Sequence, residues 1–158
     1  MQMFTHGLIT GMLFVLVGMV YDRAHTRQID ELSGLAHRMP FLATMMVVAG
    51  LASLGLPALA GFVSEVTVFL GTFERHEALT IAGVVGILFA AGYILWTIQR
   101  VIWGEPNERW SDLTDATAWW ERGPLLAMSA VILAVGVYPA VMMDLFESGV
   151  APIAQRLG

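Results

Sequence analysis

The chain has 158 residues, 57% of them hydrophobic and 13% charged, and a mean hydropathy of +0.70. Soluble domains carry about 25% charged residues, so this composition excludes an ordinary soluble domain and reads as a membrane protein. Without cysteine, disulfides and thiolate metal sites are excluded, and the net charge of −5 gives no support to nucleic-acid binding.

The first apolar stretch, 2–21, lacks the basic lead-in and small-residue cleavage site of a signal peptide, so it reads as a retained span. The chain enters it without leader or loop, which leads us to expect a piece of a longer protein. Gln2, His6 and Thr10 recur every four residues and share one helical face. Such a stripe suits a buried hydrogen-bond path; equally, His6 could be a structural histidine satisfied by a neighbouring helix or lying near the interface. Gly7 and Gly11 make a small-xxx-small pair on an adjacent face, suited to close helix contact. The polar loop 22–40 follows. Its Arg23, Arg27, Asp30 and Glu31 read as a solvated face, and Pro40 stands at the start of the next helix, where its missing donor does little harm.

The stretch 41–73 is the most informative. It has 33 residues and one formal charge, Glu65. A straight helix of that length would run about 50 Å, against about 30 Å for the bilayer core. It is too long for one plain crossing and short for two. Its middle, Gly55-Leu56-Pro57-Ala58-Leu59-Ala60-Gly61, breaks helices: Pro57 removes a donor and clashes with the preceding turn, and the glycines ease bending. We expect a helix broken near 55–61 inside the membrane, with Glu65 on the second half. Unwound backbone and a carboxylate at membrane depth are costly and mark ion sites in transporters. The plainer alternative is a Glu65 solvated near a membrane surface.

A short loop with His76, read as solvated, leads to the span 79–103, where Tyr93, Trp96 and Trp103 cluster and Arg100 can snorkel to the headgroups. In the polar segment 104–123, Trp110, Trp119 and Trp120 read as an interfacial belt, and the acidic residues are too scattered for a metal site. The last span is expected over 124–146, kinked or ended by Pro139. A helix stopping at Tyr138 would reach only about 22 Å from Pro124, so the aromatic flank or the post-proline turn must complete the crossing. The tail 147–158 is mildly amphipathic, with Asp144 and Arg156 as surface charges. If 41–73 is one broken crossing, loops 22–40 and 104–123 lie on one side with six of the eight arginines, counting Arg100. The positive-inside rule then puts those loops in the cytoplasm and both termini outside. Two crossings would divide the arginines four against four, which favours one.

Several segments together resemble one family. HGLITGMLFVLVGMVYDRAHTRQIDELSGLAHRMP from His6, ASLGLPALAGFVSE ending at Glu65, YILWTIQRVIWG from Tyr93 and GVYPAVMMD resemble the antiporter-like subunit M of proton-pumping NADH:quinone oxidoreductase, respiratory complex I. The resemblance implies an all-α, multi-pass transmembrane bundle of about four spans, one of them discontinuous, matching the end of a fourteen-span subunit with two inverted repeats. It implies that Glu65 is the terminal carboxylate of a proton path, that His6 belongs to the polar chain across the midplane, and that Gly55, Pro57 and Gly61 form the break. It also implies partners among the other complex I membrane subunits and the lipid bilayer of the plasma membrane, with NADH, FMN, iron–sulfur clusters and quinone held by other subunits and none by this chain. The family's first repeat, with its own glutamate and paired lysines, has no counterpart here; the chain contains no lysine at all. Two other readings stay open: an Mrp-type cation/proton antiporter or membrane-bound hydrogenase subunit, and a membrane scaffold that transports nothing.

Overall fold

The computed structural model describes residues 1–157, without the side chains at 153, 154, 156 and 157, so the expected surface charge of Arg156 lies outside the described residues. The fold is all-α. Helix α1 spans Gln2–Ala24, the single turn α2 Leu35–Arg38, α3 Pro40–Ser53, α4 Ala60–Phe73, α5 Glu77–Val101, α6 Trp119–Val137 and α7 Ala140–Leu157, with a 3₁₀ turn at Glu108–Trp110. By length and composition α1, α5 and α6 are each able to cross a membrane. At 1.5 Å per residue α3 and α4 each reach only about 21 Å, short of the about 30 Å bilayer core.

The core is a seam along α1. Thr5, Ile9, Met12, Leu16 and Val20 are buried there, following the helical repeat. Leu42, Ala49 and Ala52 of α3 and Leu125, Ile132 and Val135 of α6 are buried with them. Helix α5 packs on α3 and α4 along one edge; most of its apolar side chains, including Leu88 and Phe89, are exposed.

Three expectations are corrected. Arg23, expected on a solvated face, has a side chain only 17% exposed and is held by Glu121 and the Thr114 and Met19 carbonyls. The last long helix runs Trp119–Val137, not 124–146. It starts early because Glu121 behaves as a capping residue: its Oε2 accepts from the Thr117 amide just before the helix (3.2 Å). It stops at Tyr138 because the residue before a proline is driven from helical backbone; the chain restarts as α7 beyond Pro139. Trp110 is not in an interfacial belt. It is buried, and its indole Nε1 donates to the Glu31 carbonyl at 2.8 Å.

That bond belongs to a network that ties loops 25–39 and 102–118 together at one end of the bundle. The Asp115 carboxylate accepts the Phe41 amide at 2.6 Å and the Leu42 amide at 3.2 Å, capping α3 from a loop more than 70 residues away. Arg23 at the end of α1 donates to Glu121 (2.5 Å), to the Thr114 carbonyl (2.9 Å) and to the Met19 carbonyl (3.1 Å). Arg122 donates to the Ala116 carbonyl (2.6 Å) and lies over the Phe41 ring. At the other end of α4, Thr80 donates to the Thr72 hydroxyl (3.1 Å).

Candidate functional site at the helix break

Helix α3 ends in a Schellman motif. The Leu56 amide reaches back to the Leu51 carbonyl (3.2 Å) and the Gly55 amide to the Ala52 carbonyl (3.3 Å). Gly55 takes the left-handed conformation this motif requires, φ +67°. Ala58 also has positive φ, 74°, a strained value for a residue with a Cβ. Pro57 lies between them. Leu59 is extended, and α4 restarts at Ala60 without a side-chain cap.

Glu65 lies in the second turn of α4. Side chains on a helix lean toward its N-terminus, so the carboxylate points back at the break. A Cβ built on Gly55 would meet Glu65 Oε2. The half-buried carboxylate therefore lies beside the left-handed turn, between the negative end of α3 and the positive end of α4.

Two close backbone approaches hold this geometry. At Gly61 a Cβ would collide with the Ala52 carbonyl oxygen, so the start of α4 lies directly on the end of α3. At Gly136 on α6 a Cβ would collide with Ala58 and Leu59, so α6 lies against the backbone of the break itself. Gly136 was not singled out from the sequence; the signal available was a glycine inside the last apolar stretch.

His6 is exposed on α1, and its carbonyl accepts the Thr10 hydroxyl at 2.7 Å. Among the described residues no ion pair reaches His6 or Glu65. The residues of α1 that meet α4 include Ile9, which lies against Gly61, and Thr5, about 100° around the helix from His6. Thr5 and Ser64 are both fully buried, and Thr5 Oγ1 donates to Ser64 Oγ at 2.8 Å. Gln2 is half-buried with its Oε1 unpartnered. Nothing lies within 4 Å of a Cβ at Gly7 or Gly11, so this chain does not use that face for helix contact. Among the described residues no group of three His, Cys, Asp or Glu side chains is placed to hold a metal ion.

Comparison with known proteins decides the family. The family described as NADH:quinone oxidoreductase/Mrp antiporter, transmembrane, matches residues 1–90, which hold α1, the break, Glu65 and the start of α5. The chain belongs to this family. It is 37% identical over 156 residues to NADH-quinone oxidoreductase subunit M of Rhodobacter capsulatus, covering 98% of this chain and 30% of the relative. It is 36% identical over 144 residues to F(420)H(2) dehydrogenase subunit M of Methanosarcina mazei, covering 91% of this chain and 29% of that one. Among solved structures, respiratory complex I from Thermus thermophilus with bound NADH superposes with a TM-score of 0.84 at 32% identity, over 96% of this chain and 31% of the other. The Mrp complex from Dietzia sp. shares the fold, with a TM-score of 0.73 at 19% identity, over 89% of this chain and 34% of the other. The chain thus spans about 30% of the length of the curated relatives it matches.

Proposed function

We propose that this chain contributes part of a proton-translocation path in the membrane arm of an NADH:quinone oxidoreductase, driven by quinone reduction in other subunits. The observation that carries the reading is the Glu65 carboxylate lying against Gly55 at the break of an otherwise apolar helix pair. Glu65 is the group that takes up and releases the proton. The break leaves the Glu65 carboxylate between the amide end of α4 and the carbonyl end of α3. His6 is the relay on the preceding helix, an imidazole able both to accept and to donate a proton. Gly55, Pro57 and Gly61 keep the backbone open at membrane depth.

In this reading the partners are the other membrane subunits of the complex and the bilayer of the plasma membrane. Loops 22–40 and 104–123 face the cytoplasm and both termini lie outside. NADH, FMN, the iron–sulfur clusters and quinone belong to other subunits. The test is Glu65→Gln in the assembled complex, with NADH-driven proton uptake measured in inverted membrane vesicles. Pumping should fall to background while the complex still assembles. Unchanged protons per electron would overturn the proposal and favour a scaffold.

A second reading has its own support: the matched family includes Mrp antiporters, and the Mrp complex shares the fold. There the same Glu65 would serve cation/proton exchange without NADH. Sodium-driven proton movement in vesicles that lack NADH oxidation would favour it.

A further inference from the structure

We infer that Thr5 and Ser64 are positioning residues for Glu65, a hydroxyl clasp that fixes the rotation of α4; this rests on the proposed role of Glu65 as the proton-carrying group. Two side-chain hydrogen bonds tie α4 to its neighbours: Thr80 of α5 donates to Thr72 near the far end, and Thr5 of α1 meets Ser64 beside Glu65. Of the fourteen residues of α4 the buried ones are Ala60, Gly61 and Ser64, all in the first turn and a half. Beyond Ser64 most apolar side chains are exposed, with Val66, Val68 and Leu70 outward, and the next directional contact is at Thr72, two turns further on. Ala60 and Gly61 set how close α4 approaches α3, but they carry no directional bond. Ser64 does, and it immediately precedes Glu65.

The bonds of the clasp overlap. Thr5 Oγ1 lies 2.8 Å from Ser64 Oγ and 3.2 Å from the Gln2 carbonyl, and Ser64 Oγ lies 2.9 Å from the Gly61 carbonyl. Two hydroxyl protons serve three contacts. Either Thr5 donates to Ser64 while Ser64 donates to Gly61, or Ser64 donates to Thr5 while Thr5 donates to Gln2. The interhelical bond is present in both arrangements. The clasp can therefore reverse its dipole when the neighbouring carboxylate gains or loses a proton, and still hold. A rotation of α4 by one residue, about 100°, would break it and carry Glu65 away from Gly55.

The experiment uses the assembled complex with Thr5→Val, Ser64→Ala, the double variant, and the conservative Thr5→Ser. Proton uptake per NADH oxidised is measured alongside complex abundance. We expect each removal of a hydroxyl to lower protons per NADH by about threefold to tenfold, the range of an interhelical hydrogen bond in a membrane protein. The double variant should be no worse than the weaker single, because both delete the same bond, and Thr5→Ser should pump as the parent does. If Thr5→Val fails to assemble, the pair Thr5→Ser and Ser64→Ala carries the test alone: the first must pump normally and the second must not. Normal coupling in Ser64→Ala, or a defect in Thr5→Ser equal to that in Thr5→Val, would overturn the clasp. Glu65→Gln runs in parallel. Normal pumping in that variant would overturn the reading of Glu65 itself, whereas lost pumping there with normal pumping in Ser64→Ala overturns the clasp alone.

Discussion

Replacing Gly136 by alanine tests the junction between α6 and the helix break. A Cβ at that position would lie 2.5 Å from the carbonyl carbons of Ala58 and Leu59. Carbon atoms at ordinary contact are about 3.5–4.0 Å apart, so either α6 or the break must retreat by about 1 Å. The obstruction is backbone on both sides, with no flexible side chain to swing away. Overpacking of this kind costs about 1–3 kcal/mol, and here the upper half of the range applies. Alanine is the better helix former by about 0.8–1.0 kcal/mol, which offsets part of that cost. A net loss of about 1–2 kcal/mol remains, roughly a fivefold to thirtyfold shift in equilibrium. Gly86 on α5 is the control: a Cβ there has nothing within 4 Å, so Gly86→Ala keeps the helix-propensity gain without the clash. The assay is thermal unfolding of the detergent-solubilised protein, read alongside NADH-driven pumping by the assembled complex of the proposed reading. Gly136→Ala should unfold at lower temperature than the parent and pump less; Gly86→Ala should do neither. If Gly136→Ala is tolerated as well as Gly86→Ala, α6 does not lie against the break as described.

Three further outcomes are expected. Asp115→Ala should destabilise the fold by about 1–2 kcal/mol, because two amides of α3 lose their cap. Hydrogen exchange at Phe41 and Leu42 should speed up with it, and unchanged protection there would refute the cap. Arg23→Lys should destabilise despite keeping the charge, since one ammonium cannot reproduce the forked contacts to Glu121, Thr114 and Met19; a thermal midpoint equal to the parent's would contradict this. Gly55→Ala should cost about 1–2 kcal/mol for left-handed backbone and also displace the Glu65 carboxylate. Its pumping should therefore fall more than its stability, and equal losses would point to strain alone.

What could be read from the sequence was local. The interruption of α3 and α4 announces itself through Gly55, Pro57 and Gly61, because left-handed turns and missing donors are properties of single residues. Glu65 stands out as the one charge in its stretch. Contacts between distant segments left no such trace. Nothing near Phe41 names Asp115 as its cap, and nothing near Ser64 names Thr5 as its partner. The periodicity of α1 drew attention to Gln2, His6 and Thr10, whereas the buried seam runs one residue over, through Thr5, Ile9 and Met12. Trp119 and Trp120 suggested a loop flank, yet they open α6, because Glu121 at the third helical position binds back to Thr117. Which face of an apolar helix is buried depends on its neighbours, and an apolar sequence surrounded by apolar sequence does not identify them.

The cap on α3 also bears on biogenesis. During synthesis the Phe41 and Leu42 amides emerge long before Asp115, which is 73 residues beyond Leu42. At about 5–20 residues per second, the ribosome leaves those amides without their cap for roughly 4–15 seconds. Over that interval α1, α3, α4 and α5 can enter the bilayer as loosely associated hairpins, their loop ends hydrated and unlocked. The arrival of residues 110–122 brings Trp110, Asp115, Glu121 and Arg122 to their partners within one short stretch of chain. A truncation before residue 110 should therefore leave the Phe41 and Leu42 amides unprotected against hydrogen exchange, and one after α6 should protect them.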